Sequence, residues 1–212
     1  KINRNTWQII GCRNKKFSLN YDVKADRRFV ANSFLDASHG YLVPTANFLY
    51  IDGKKDLPVT VSIDLPSDAG WNNIATGLQK SITNKNEFTA SNFDILFDCP
   101  ILMGDLEELP SFRVAGVNHR FIAYQPGEFD REKLMSQIKK VVEAAVEIFG
   151  EIPYKEYTFI GIGPGRGGIE HLNNTTISFD GNSLKTDADY QRVLNFIGHE
   201  YFHHYNGEIL CK

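Results

Sequence analysis

The chain has 212 residues, 42% of them hydrophobic, enough to bury one large core or two modest ones. Its 23 basic and 26 acidic residues nearly balance, without like-charge blocks or basic runs interleaved with aromatics, which argues against nucleic acid as a partner. No apolar run reaches the roughly 18 residues of a membrane span, and Cys12, Cys99 and Cys211 show no C-x-x-C spacing, so neither a disulfide framework nor a cysteine zinc site is implied.

Residues 16–25 alternate, with Phe17, Leu19, Tyr21 and Val23 on one side and Ser18, Asn20, Asp22 and Lys24 on the other, which predicts a half-buried strand. Further strands are expected at 47–51, 59–65 and 92–97, separated by turn signals such as Asp52-Gly53-Lys54 and Pro66-Ser67-Asp68. Residues 112–115 and 120–124 should pair as a hairpin across Gly116-Val117-Asn118. Residues 1–125 therefore read as an all-β, sandwich-like domain whose many aromatics, Trp7, Phe34, Tyr41 and Trp71 among them, fill its core and corners. His39 and His119 have no sequence neighbours that point to metal, and no role is assigned to them.

The texture changes at Gln125-Pro126-Gly127. Residues 130–150 predict one amphipathic helix, with Asp130 as cap, Gly150 as stop, and Leu134, Ile138, Val141, Val142 and Ala145 in its apolar stripe. A strand at 157–162 follows. Gly163, Gly165 and Gly168 formally match G-x-G-x-x-G, but Pro164 interrupts the match and strand and loop follow it rather than helix, so a dinucleotide site is rejected. The N-x-T sequons at Asn173 and Asn174 are read as coincidence.

The last element carries the chemistry. Thr186 or Asp187 can cap a helix, with Asp189 completing an imperfect capping box, and Tyr190, Val193, Leu194, Ile197 and Tyr201 recur at helical spacing. On that helix His199-Glu200-Tyr201-Phe202-His203 forms H-E-x-x-H. Two imidazoles four residues apart share a face and can bind one zinc ion, and Glu200 beside them is placed to act as general base on a polarised water. Gly198 costs the helix roughly 1 kcal/mol relative to Ala, which points to a close approach by another element or by substrate. Upstream, Gly167-Gly168-Ile169-Glu170-His171 offers a strand edge without side chains and a carboxylate that can hold a substrate's α-amino group.

Together these two segments, about thirty residues apart and followed by Asn206, resemble the glycyl aminopeptidase family of zinc gluzincins, which usually also carry a PDZ domain. Phe34-Leu35-Asp36, the strand at Pro58-Val59, Trp71 with Ala75-Thr76, and Asp94-Ile95-Leu96-Phe97-Asp98-Cys99-Pro100 fall in the order that family shows. The resemblance implies a β-rich N-terminal domain (1–125) followed by the incomplete start of an α+β thermolysin-like catalytic domain (126–212). It also implies a peptide substrate, removal of N-terminal glycine or alanine, and a bacterial envelope location. By position, His199 and His203 become zinc ligands and Glu200 the base. Gly168 and Glu170 anchor the substrate's amino end, and Asn206 stands behind the ligands.

Asn206 and Ile209 stand where a metzincin needs Gly and His, so that zinc class is excluded. The third gluzincin ligand is a Glu on a later helix; Glu208 lies on the motif helix itself and is poorly placed for that role. Tyr201 and Tyr205 are read as packing residues. The expectation is a zinc aminopeptidase of which this chain is an inactive piece, one that holds zinc weakly through two ligands and can self-associate through faces meant for the rest. The chain opens on Lys1, consistent with a portion upstream. The alternatives are an endopeptidase in which Glu170 is incidental, and a β-rich binding module on a decayed peptidase fold.

Overall fold

A computed structural model describes residues 1–12 and 15–208, with the side chains of 206–208 left out of the description. The elements run β1 (Asp26–Phe29), β2 (Asn32–Leu35), β3 (His39–Leu42), α1 (Pro44–Asn47), β4 (Val59–Ser62), β5 (Asn73–Thr76), β6 (Gln79–Lys80) and β7 (Glu87–Ala90). There follow α2 (Phe93–Phe97), β8 (Ile101–Gly104), β9 (Leu106–Glu108), β10 (Phe112–Val114), β11 (Val117–Tyr124), α3 (Arg131–Phe149), β12 (Glu156–Gly161), β13 (Gly168–Glu170), β14 (Asn174–Ile177) and α4 (Asp187–Glu208).

Three sheets and a helical layer stack in sequence. A three-stranded sheet, β4-β7-β6, packs on a five-stranded one, β1-β2-β3-β8-β5, through Val61, Phe88, Ile101 and Met103. Strand alternation then turns Leu102 to the other face, where it meets Ile122, Ile160 and Ile162 of the six-stranded sheet. That sheet runs β10-β11-β12-β14-β13 with β9 also on β11, and β11, β12 and β14 are parallel. Its far face, led by Phe121, Tyr157 and Phe159, packs on α3 and α4. β12 is buried from Tyr157 to Gly161, with Thr158 among mostly apolar residues, as suits a central parallel strand covered on both faces.

The β-rich fold class and the helix at 130–150 hold. Asp130 accepts from the Lys133 N–H at 2.9 Å, and Gly150 ends the helix at φ 83°. The hairpin also forms, though its turn is the tighter Ala115–Gly116 pair, with φ of 49° and 81°, and the strand resumes at Val117.

Three expectations fail. Residues 16–25 form no strand: Phe17, Leu19, Tyr21 and Val23 are 43–51% exposed, because the alternating stretch has found no neighbour to pair with, although the Tyr21 hydroxyl donates to the Asn47 carbonyl at 2.8 Å. Residues 48–51 trail from α1 without pairing. Residues 93–97 are helix, because the Asn92 side chain caps them by accepting from the Ile95 N–H at 2.9 Å and Phe93, Leu96 and Phe97 have i, i+3, i+4 spacing. The sheets change at residues 105/106: β9, β10 and β11 belong with β12.

His119 is fully buried. Its Nδ1 lies 3.1 Å from the Val117 carbonyl, and its Nε2 lies 3.3 Å and 3.4 Å from the hydroxyls of Tyr154 and Tyr201, which also contact one another. Burial pushes its pKa down to about 4. The unfolded chain therefore binds a proton that the fold excludes, so stability is full above about pH 6.5 and is lost as pH falls toward 4. The unfolding free energy from urea titration should decline over that window, by at most about 1.4 kcal/mol per pH unit from this group. His119→Gln should flatten the decline; equal slopes in both proteins would contradict this assignment.

Candidate functional site

α4 begins with the capping box that the sequence outlines: the Thr186 hydroxyl accepts from the Asp189 N–H at 3.3 Å, and the Asp189 carboxylate accepts from the Thr186 N–H at 2.7 Å. One face of the helix, Tyr190, Ile197, Tyr201 and Tyr205, is buried against α3 and the sheet, with Tyr205 stacked on Phe149 at 4.3 Å. A Cβ at Gly198 would lie 3.4 Å from Val141 Cγ1 of α3, an ordinary van der Waals contact, so packing there does not demand glycine. With that face fixed inward, His199 and His203 turn outward.

The two imidazoles converge, with their Nε2 atoms 3.1 Å apart. Two nitrogens on one tetrahedral zinc at about 2.0–2.1 Å would stand roughly 3.3 Å apart, so the pair fits such an ion. Nδ1 of His203 faces Glu170 Oε1 at 4.0 Å, beyond hydrogen-bond range. Among the described residues no group of three or more His, Cys, Asp and Glu is arranged to hold an ion. Glu208 closes the motif helix. The Asn206 side chain lies outside the described residues.

Glu200 is only 5% exposed and packs against β13. A Cβ on Gly168 would stand 2.7 Å from its Cδ, 2.8 Å from its Oε1 and 2.9 Å from Phe196 Cζ, so this approach requires glycine. Burial first, and the Glu170 carboxylate second, raise the Glu200 pKa above the ordinary value, with His199 and His203 pulling the other way. Glu170 ends β13, an edge strand paired on one side by β14, and its side chain is 48% exposed. The structure thus brings His199, Glu200, His203, Gly168 and Glu170 together. Tyr201 and Tyr205 are buried in the core, away from this face.

Sequence reasoning missed two features. Phe196, one turn before Glu200, touches Gly168 and borders a cleft of about 320 Å³, also lined by Pro164, Gly165, Ser178, Asp180 and Val193. Its i, i+4 relation to Glu200 was the available signal. Asp98 reaches the turn after Glu170, a contact 73 residues long in sequence that no local pattern announces.

Residues 1–105 match the family model of the Peptidase M61 N-terminal domain. The structure resembles that of an aminopeptidase N family protein from Idiomarina loihiensis, with a TM-score of 0.79 and 30% identity, over 86% of this chain and 33% of that one. It also resembles Legionella pneumophila aminopeptidase A, crystallised with aspartic acid, with a TM-score of 0.52 over 82% of this chain and 23% of the other; at 14% identity that likeness is one of fold. The chain therefore spans about a third of the Idiomarina protein's length. No curated protein matches the sequence. These matches give the chain a peptidase context.

Because the Gly168 position has no room for a Cβ, Gly168→Ala should push the Glu200 carboxylate aside. In the full-length protein it should lower kcat/KM by about tenfold to a hundredfold with little change in Tm. Activity and Tm both at the wild-type level would show that the contact carries no function.

Proposed function

We propose that this chain belongs to a zinc aminopeptidase that removes small N-terminal residues, glycine or alanine, from peptides. The observation that carries the reading is the pair of Nε2 atoms 3.1 Å apart, with the buried Glu200 next to His199 on the same helix and the half-exposed Glu170 4.0 Å from Nδ1 of His203. Zinc, when bound by His199 and His203 together with a ligand outside the described residues, supplies a Lewis acid that makes water a nucleophile near neutral pH. Glu200 takes a proton from the attacking water and delivers it to the leaving amine nitrogen as the C–N bond breaks. Glu170 holds the α-ammonium, which fixes where the chain must begin. The free edge of β13 offers backbone groups to an extended peptide, and the cleft beside Phe196 has room for a side chain of that peptide. The preference for glycine and alanine rests on the resemblance of the two motifs to the glycyl aminopeptidases.

One observation favours a second reading. Glu170 faces Nδ1 of His203 and could serve to orient that imidazole rather than to bind an amine, as in an endopeptidase. A peptide with a blocked amino group separates the two, since an aminopeptidase loses it as a substrate and an endopeptidase still cuts it.

The principal test is release of p-nitroaniline from glycyl and alanyl p-nitroanilide by the zinc-loaded full-length protein, with Glu200→Gln as control. The substitution should lower kcat by about 10²–10⁴-fold. Absence of activity in the wild-type protein, combined with cleavage of blocked peptides, would move the assignment to the endopeptidase.

A further inference from the structure

The turn that follows Glu170 is held from outside its own sheet. Asp98, the residue that ends α2, points its carboxylate at this turn. Its Oδ2 accepts from the Leu172 N–H at 2.6 Å, and its Oδ1 lies 3.0 Å from Nδ1 of His171. An ionised carboxylate can only accept, so His171 carries its proton on Nδ1 and donates it to Asp98. The His171 side chain is 8% exposed, and its Nε2 is buried without a hydrogen-bond partner. An imidazole that leaves one nitrogen desolvated and unpaired is kept in place by what the other nitrogen does. Two more bonds reinforce the joint: Asn173 Nδ2 donates to the Gly77 carbonyl at 2.9 Å, and Asn174 Nδ2 to the Asp98 carbonyl at 3.4 Å.

Strand alternation converts this grip into aim. Gly168 and Glu170 share a face of β13, and Gly168 abuts Glu200, so Glu170 looks toward α4. Ile169 turns the other way, toward Val30, Phe34 and Tyr41, and His171 continues that side to meet Asp98. The residue that binds Asp98 is thus the immediate neighbour of Glu170, on the opposite face of the same backbone.

We infer that Asp98 is a positioning residue for substrate recognition: by clamping His171 and Leu172 it sets the direction of the Glu170 carboxylate, making the β-rich first half of the chain part of the device that selects a free amino terminus. This rests on the reading of Glu170 as the amine anchor. A clamp of this kind acts on binding of the ammonium group and contacts neither the imidazoles nor Glu200, which it reaches only through Glu170.

The test is made in the zinc-loaded full-length protein with two competitive inhibitors, a dipeptide and its des-amino analogue, alongside kcat and KM for alanyl p-nitroanilide. Asp98→Ala should raise KM by about tenfold to a hundredfold with kcat nearly unchanged. It should cut the preference for the amine-bearing inhibitor by a similar factor, with zinc content by elemental analysis at the wild-type level. Asp98→Asn, whose carbonyl oxygen can accept from the Leu172 N–H while its NH2 opposes the His171 Nδ1–H, should recover only part of the loss. Glu170→Gln is the reference. If it leaves the amine preference intact, the anchor reading fails and the clamp with it. If Glu170→Gln removes the preference and Asp98→Ala does not, the clamp alone is wrong. A loss in Asp98→Ala that is equal for both inhibitors would mark a general structural defect and overturn the inference. Should Asp98→Ala not fold, His171→Ala decides by the same comparison.

Discussion

The site depends on one close contact, the Gly168 backbone against the Glu200 carboxylate, where a Cβ would stand 2.7 Å from Cδ. A Cβ at position 168 would press on the Glu200 carboxylate and the Phe196 ring, and these two side-chain ends would have to move aside. Glycine there closes the distance and desolvates Glu200, which is the first cause of its raised pKa. The missing methyl group thus bears on both the position and the burial of the Glu200 carboxylate.

That contact is held in register by layers on either side. α4 cannot rotate, because Ile197, Tyr201 and Tyr205 are buried against α3 and the six-stranded sheet and Tyr201 is hydrogen-bonded to the buried His119. β13 cannot drift, because it pairs with β14, and β14 pairs with the doubly buried β12. Behind β12, Ile160 and Ile162 pack onto the five-stranded sheet. The β-rich half is thus packed directly behind the sheet that carries β13.

How much of this could be read from residues alone follows from the range of the interactions. The helices at 131–149 and 187–208 were legible because their caps, Asp130 and Thr186 with Asp189, and their apolar spacing are local. The convergence of His199 and His203 was legible because helical pitch fixes it. Residues 16–25 misled because alternation specifies two faces and says nothing about whether a neighbouring strand exists. Residues 93–97 misled because a five-residue apolar run fits strand or helix, and the deciding signal was one capping residue, Asn92. The place where the sheets change was hidden because β11 looks the same whether it pairs backward to β10 or forward, in parallel, to β12; it does both. Nothing local linked Asp98 to His171.

In the proposed aminopeptidase, burial divides the labour between the two carboxylates at this site. Glu200 is nearly enclosed, so its charge is poorly solvated and its proton affinity is raised, which suits a group that must take a proton and give it back. Glu170 has a side chain about half exposed at the end of an edge strand, where an incoming ammonium keeps part of its hydration while it gains a partner. Exchanging the two environments would defeat both proposed tasks: an exposed Glu200 would lose its raised proton affinity, and a buried Glu170 would require full desolvation of the ammonium group proposed to bind there. The fold enforces the difference by pressing β13 onto α4 at Gly168 and leaving the strand open two residues later at Glu170.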